Sequence, residues 1–357
     1  MKGVILAGGT GSRLRPITHT GPKQLVPIAN KPVIDYAIED LKEAGIDDVG
    51  VIVGHVGSDE IQAHLGDGSD HGVDVTYIVQ GEPLGLAHAV GCARDFVGDE
   101  PFVVYLGDDL MREGITELVA DFDQETYAAS IGLQEVDDPS RYGIVDVDDE
   151  GNVQLLVEKP DDPPNNLALI GIYVFTSDIF EQIDRLEPSW RGELEITEAI
   201  QGLLDDGKRI QSHTVHGWWK DTGKPEDVLH ANYLVLDDID GRIDGTVEDG
   251  AVTTGRVDLG AGSVVEAGAV VKGPVSIGEN TTIGSDAYVG PYTSVGDDCE
   301  LRGVHIESSV VIGESTITTE RKIVDSLVGR KATIRNTEEK KPDGTRLVVG
   351  ENSTLDL

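Results

Sequence analysis

Two aspartates stand where a chain could hand carboxylates to a divalent cation. Asp108 comes at the carboxyl end of the apolar run FVVYL, and Asp221 follows the aromatic pair Trp218 and Trp219. Two hard oxygen ligands would suit Mg2+ if the fold brings them together, because that ion keeps several waters and accepts few protein carboxylates. In so acidic a chain either residue could equally be a surface loop acid, so the argument for a role is position at a strand end. Asp109 is a weaker candidate, acting from behind Asp108. Upstream, GGTGSRLRP at 8–16 begins directly after an apolar strand. Its glycines let backbone N–H groups approach a phosphate, and Arg13 and Arg15 can neutralise charge on a triphosphate. This is not a P-loop, which needs GxxxxGK[ST], and Leu14 stands where the dinucleotide fingerprint has its third glycine. Alone, the loop would also serve as an ordinary strand-to-helix turn. GPKQLVPIANKP then supplies Lys23 about ten residues later, which weakens that plainer reading.

These residues need a scaffold, and the apolar pattern predicts one. The run VILA at 4–7, an amphipathic helix at 32–44 and VGVIV at 49–53 make a βαβ opening. Asn30 and Pro32 mark the helix start, Ile34, Ala37, Ile38 and Leu41 form one face, and Gly45 lies just past the end. DVTYIVQ, LGLAHAVGCARDF and PFVVYLG repeat the alternation, predicting a Rossmann-like α/β fold with a mixed, mainly parallel sheet. Ligands sit at the carboxyl ends of such strands. A hairpin (GIVDV, then NVQLLVE), a strand at 167–175 and helices near 177–186 and 194–204 enlarge this domain, expected at 1–240. From 264 to 299 an aliphatic residue recurs every sixth position: VVEAGA, VVKGPV, SIGENT, TIGSDA, YVGPYT, SVGDDC. That period predicts a parallel β-helix over 241–357, with one inward side chain per short strand. Later units drift, so the last coils should be irregular; TEEKKPDG at 337–344 reads as a loop before a final strand, LVV.

The pair GGTGSRLRP and PKQLVPI resembles the signature of sugar-phosphate nucleotidyltransferases, above all the long form of glucose-1-phosphate thymidylyltransferase. Further matches come in that family's order: VQGEPLGLAHA, GDD at 107–109, YG at 142–143, EKP at 158–160, GELEIT at 192–197 and WWKDTG at 218–223. They span the first domain, and the hexapeptide tail matches the long form, whose coil is left-handed. The resemblance implies that Leu6, Gly8, Gly9, Gly11 and Gln24 bind the nucleotide, with Arg13 on its phosphates and Lys23 on the reacting ones. Gln80 and Gly85 would read the pyrimidine edge, since an amide offers both donor and acceptor. Glu158 is assigned to glucose hydroxyls, Lys159 and Arg191 to the sugar phosphate, and Gly143 and Tyr173 to the pocket wall. The plainer reading of Glu158 and Lys159 is an exposed ion pair worth ~0–1 kcal/mol.

The reaction so implied is in-line attack by a phosphate oxygen of glucose 1-phosphate on the α-phosphorus of dTTP, giving dTDP-glucose and pyrophosphate. The attacking oxygen is already anionic, so positioning and charge neutralisation by Arg13, Lys23, Lys159 and a Mg2+ held by Asp108 and Asp221 suffice. No general base is needed, and His19, His55, His64, His71 and His88 read as incidental surface or packing residues. UTP is the alternative substrate. Two other classes compete. Hexapeptide coils also host acyltransferases, but His305 is the repeat region's one histidine and sits without a long inserted loop. A non-catalytic regulatory paralogue would not need Arg13, Lys23, Asp108 and Asp221 together.

Composition excludes other partners. With 66 Asp+Glu against 28 Lys+Arg the formal charge is -38, a field that repels nucleic acid and anionic membranes. The acids are scattered in short groups, as on a halophile-like surface, since in molar salt the Debye length falls to ~3 Å and like charges stop repelling. Cys92 and Cys299 show no metal or disulfide spacing and read as packed thiols. No stretch approaches the ~20 apolar residues of a membrane span. A cytoplasmic enzyme is expected, assembling as a homo-oligomer through coils whose apolar ends need capping.

Overall fold

The alternation of apolar runs and amphipathic helices takes shape in a computed structural model, which describes residues 1–19, 21–336 and 351–356. The loop expected at 337–344 and the strand after it lie outside the described residues. Two compact units form, one of residues 1–10 with 33–221, the other of 11–32 with 222–357.

In the first unit, Phe102–Leu106, Lys2–Ala7, Asp48–Val53 and Asp74–Val79 pair in parallel in that spatial order. Val4, Ile5, Val49, Val51, Ile52, Val103 and Val104 are all fully buried, as a sheet covered on both faces requires. The first helix is Val33–Glu43 and buries Ile34, Ala37, Ile38 and Leu41. It stops at Gly45, which takes φ 78, while Ile46 N–H returns to the Leu41 carbonyl; glycine meets no Cβ penalty there. The helix expected across LGLAHAVGCARDF is broken into Leu86–Cys92 and Arg94–Val97, with Ala93 between.

The rest of the nine-stranded sheet is largely antiparallel. Leu167–Phe175, buried from Ala168 onward, pairs with Phe102–Leu106, Ala129–Glu135 and Gly143–Val147. The expected hairpin is present as Gly143–Val147 against Val153–Glu158. Hairpins reverse direction without a crossover helix, so this half need not be parallel.

In the second unit the six-residue period becomes a left-handed parallel β-helix. Val265, Val271, Ile277, Ile283, Val289, Val295 and Leu301 each lie within 2% of complete burial. Val264 pairs with Thr282 and Thr282 with Glu300, so a coil takes eighteen residues. Corners at Asn280, Asp286 and Asp298 adopt φ between 52 and 61, a region that Asn and Asp tolerate better than most residues. The expected irregularity is a shortening of the coil. Glu300 pairs with Thr316 and Thr316 with Thr333, sixteen and seventeen residues on. The inward positions Ile306, Val311 and Ile317 keep the core filled.

The segment 11–32 packs within this second unit. Its hairpin, Pro27–Ile28 against Lys31–Pro32, turns through Ala29 at φ 47 and Asn30 at φ 66, the positive pair of a type I′ turn. Asn30 Nδ2 donates to Ser276 Oγ at 2.9 Å and to the Val295 carbonyl at 3.0 Å. Asn232, on the helix Pro225–Asp237, is 1% exposed. Its Oδ1 accepts from Ala29 N–H at 2.9 Å and Ser294 Oγ at 2.7 Å, and its Nδ2 donates to the Tyr292 carbonyl at 3.2 Å.

Candidate active site

The two aspartates singled out first are brought together by a short ribbon. Asp109–Met111 pairs antiparallel with Trp219–Asp221, in a register that sets Asp221 opposite Asp109. Gly107 N–H holds the preceding turn to the end of the first strand, bonding the Leu6 carbonyl at 3.0 Å. Carboxylate oxygens of Asp108, Asp109 and Asp221 consequently lie within 4.8 Å of one another, and Asp108 and Asp109 are 8% and 2% exposed. Clustered hard oxygens in a sheltered place fit a divalent cation of the Mg2+ type. Asp109 has a structural duty as well. Its Oδ2 accepts from Gly171 N–H at 3.1 Å and from Trp219 Nε1 at 3.0 Å, which locks the ribbon to the long central strand. Trp219 is set edge-on against Tyr142, ring centroids 5.6 Å apart.

A second cluster surrounds Glu158, the last residue of its strand. Glu158 Oε1 meets Lys159 Nζ at 2.8 Å and Arg191 Nη1 at 3.1 Å, and its Oε2 accepts from Thr197 Oγ1 at 3.2 Å. Arg191 also reaches Glu193 at 2.8 Å and Glu195 at 3.4 Å. Burial pushes the Glu195 carboxyl up, and the hydrogen bond from Ser189 opposes this. Lys159 adopts φ 40, unusual for a non-glycine residue, while its N–H bonds the Tyr142 carbonyl at 3.1 Å. A Cβ on Gly143 would come within 2.7 Å of Thr197 Cγ2 and 3.4 Å of Glu158 Oε2. Glu158, Glu195, Thr197 and Trp190 help line a cleft of about 280 Å³. Tyr173 lies deeper, 4% exposed and stacked on Phe175 at 5.5 Å. Burial, then the charges of Asp109 and Glu158, push its phenol well up.

Gln80 extends the same unit toward the first strand. Its Nε2 donates to the Gly85 carbonyl at 3.4 Å and lies 3.3 Å from His88 Nδ1. A Cβ on Gly8 would come within 2.7 Å of Gln80 Oε1. Gly85 stands at φ 114, and a Cβ there would reach 2.6 Å from the Leu194 carbonyl. Leu84 O and Ala87 N–H bond the backbone of Leu194 from either side, tying this turn to GELEIT. Leu6 is 7% exposed and Gly9 is exposed.

Gly11, Arg13, Lys23 and Gln24 belong to the second unit. Gly11 takes φ 60, where a Cβ would sit 3.0 Å from Lys23 Cβ, and its carbonyl accepts from Thr18 Oγ1 at 2.6 Å. The turn therefore backs directly onto the lysine. Gln24 is fully buried, and neither its amide oxygen nor its nitrogen has a hydrogen-bond partner among the described residues. A buried amide in that state costs free energy that a ligand with both a donor and an acceptor would recover.

The positions Gly54 and Gly171 and the side chains of Glu195 and Thr197 carry no motif signal of their own strong enough to single them out in the sequence. Gly171 carried a signal, a lone glycine inside the apolar strand LALIGIYVF, which marks a close approach. A Cβ there would fall 2.2 Å from Asp109 Oδ2. A Cβ on Gly54 would press on the Gly8 carbonyl at 2.7 Å.

Known families and proteins match the chain over both of its parts. The Nucleotidyl transferase family model matches residues 2–238, and the GMPPB C-terminal domain model matches residues 271–355. The low-salt glycan biosynthesis nucleotidyltransferase Agl11 of Haloferax volcanii is 64% identical over 357 residues, covering 100% of both chains. A glucose-1-phosphate thymidylyltransferase of Streptomyces antibioticus is 48% identical over 358 residues, covering 100% of this chain and 99% of its own. A crystal structure of UDP-glucose pyrophosphorylase complexed with UDP-glucose superposes with a TM-score of 0.59 at 29% identity, covering 66% of this chain and 98% of that one.

Proposed function

Because the chain belongs to the Nucleotidyl transferase family, we propose that it transfers a thymidylyl group from dTTP to glucose 1-phosphate, releasing pyrophosphate and dTDP-glucose. The coarser activity, nucleotidyl transfer to a sugar 1-phosphate, follows from the family and its full-length relatives. The observation that carries the finer reading is full-length identity of 48% to a glucose-1-phosphate thymidylyltransferase, in a chain whose Asp108 and Asp221 converge. Residues 1–240 would be the transferase domain and 241–357 the coil domain.

In this reading Asp108 and Asp221 hold Mg2+, with Asp109 fixing their ribbon. When bound, the ion neutralises charge on the triphosphate and orients it. Glu158 orients the sugar through its hydroxyls, and Lys159 and Arg191 hold its phosphate, partly neutralised in turn by Glu158, Glu193 and Glu195. Gly143 keeps the wall beside Glu158 free of side chain. Gln80 and Gly85 read the base, Leu6, Gly8 and Gly9 give the backbone room to approach the nucleotide, and Gly11 and Gln24 are assigned to the nucleotide by their motif. Arg13 and Lys23 are assigned to the triphosphate by their motif. The substrate oxygen attacks as an anion, so no histidine has a proton to move.

Pyrophosphate release from the triphosphate in the presence of glucose 1-phosphate and Mg2+ in high salt, compared across dTTP, UTP, ATP, CTP and GTP, tests the proposal. Preference for dTTP supports it. Preference for UTP makes the enzyme a uridylyltransferase acting through the same residues, and no release with any pair overturns it.

A further inference from the structure

Two of the histidines that nucleotidyl transfer leaves unused meet a buried carboxylate away from the site above. Asp35 is the third residue of the helix Val33–Glu43, His64 lies near the end of the helix Ser58–Leu65, and His71 sits in the loop that follows. A carboxylate oxygen of Asp35 and one nitrogen from each imidazole all lie within 4.8 Å of one another. His64 is 2.7 Å from Asp35 through Nε2, and the two rings stand edge to face, centroids 5.8 Å apart. We propose that Asp35, His64 and His71 form a binding site for a divalent transition metal of the Zn2+ class.

Three features favour a site over an incidental hydrogen bond. First, the donor set is selective. Two imidazoles and one carboxylate suit Zn2+, leaving a fourth position for water, whereas Mg2+ prefers oxygen throughout. Second, the third ligand is held in place by bonds that do not use its ring. Gly66, Gly68 and Gly72 take positive φ, His71 N–H returns to the Gly68 carbonyl at 3.0 Å, Ser69 N–H bonds Asp67 Oδ1 at 3.0 Å, and Lys42 Nζ bonds the His71 carbonyl at 2.8 Å. Lys42 is on the same helix as Asp35, so that helix presents one ligand and anchors the loop bearing another. Third, Asp35 is 7% exposed while the His64 side chain is 30% exposed, which leaves an entry path to a sheltered anionic ligand.

Binding asks for small side-chain movements. Tetrahedral ligands at about 2.0–2.1 Å from zinc stand about 3.3 Å apart. The Asp35 to His64 pair would open slightly as the ion replaces the shared proton, and His71 would close in. The loop leads into Asp74–Val79, the edge strand of the sheet, and Gln80 follows that strand directly. The ion would therefore staple the sheet's edge to its first helix.

The test uses the full-length enzyme carrying Asp108→Asn and Asp221→Asn, stripped with chelator, so that the first carboxylate cluster cannot report. Titration with ZnCl2 by calorimetry, and with Co2+ by its visible absorption, should show one tight site with the spectrum of four-coordinate nitrogen and oxygen ligation. A hundredfold excess of Mg2+ should leave it in place. His71→Ala and Asp35→Asn should each weaken Zn2+ binding by more than about tenfold. On the otherwise unaltered enzyme, His71→Ala should leave circular dichroism and pyrophosphate release unchanged, and Zn2+ should raise the melting temperature by about 5 °C only while His71 is present. The absence of a site in the double variant overturns the proposal, as does binding that survives either ligand substitution or yields to Mg2+.

Discussion

Asn232 is the residue through which the second unit holds the hairpin after Lys23, and its replacement by alanine has a calculable effect. The side chain is 1% exposed and makes three hydrogen bonds, to Ala29 N–H, Ser294 Oγ and the Tyr292 carbonyl. Alanine would leave the Ala29 N–H without its acceptor at a residue with φ 47, a conformation alanine adopts only at a cost of about 1–2 kcal/mol. Losing that bond costs about 1–3 kcal/mol, so opening of the turn should become about 5- to 150-fold more frequent. Hydrogen exchange read by mass spectrometry on the peptide containing 27–32 measures this locally, without requiring two-state unfolding of a two-unit chain. Ser294→Ala should change exchange there much less, because Asn232 still accepts from Ala29. Ala29→Gly in the Asn232→Ala background should recover part of the loss by removing the backbone strain. Unchanged protection at 27–32 in Asn232→Ala would refute the assignment of that bond as the clamp.

Asp221→Asn should lower turnover by about a hundredfold or more by weakening the cation cluster, with the fold intact by circular dichroism. Glu158→Gln loosens Lys159, Arg191 and Thr197 together, so the KM for glucose 1-phosphate should rise while the KM for the triphosphate barely moves. Dialysis to about 0.01 M salt lengthens the Debye length to about 30 Å, and with a formal charge of -38 the protein should unfold there and refold when molar salt is restored. Burial pushes both thiols up, which lowers their thiolate fraction at neutral pH. Alkylation should therefore accelerate only as pH rises beyond the ordinary thiol range, and Cys299, 2% exposed, should react only when the coils unfold.

Much of this protein was legible along the chain because its governing physics is periodic or local. A six-residue interval of Val, Ile and Leu predicts one inward side chain per strand, and from Val265 to Leu301 the core follows it. The first helix was marked by its own punctuation, Pro32 before and Gly45 after. Asp108 and Asp221 were recognisable from the elements preceding them and from the motifs around them. What local pattern could not contain was contact between distant segments. The ribbon that sets Asp221 opposite Asp109 joins residues more than a hundred positions apart, and only that pairing makes one cluster of three carboxylates. Gly171 matters because Asp109 returns to its amide, and Thr197 because it reaches Glu158. A boundary near 240 suited the change of composition, but packing gathers 11–32 with the coils, since Asn30 bonds Ser276 there and Asn232 bonds both Ala29 and Ser294. His64 read as incidental for the same reason: the carboxylate it meets at 2.7 Å lies on another helix, and hydrogen bonding depends on distance in space, which sequence separation does not encode.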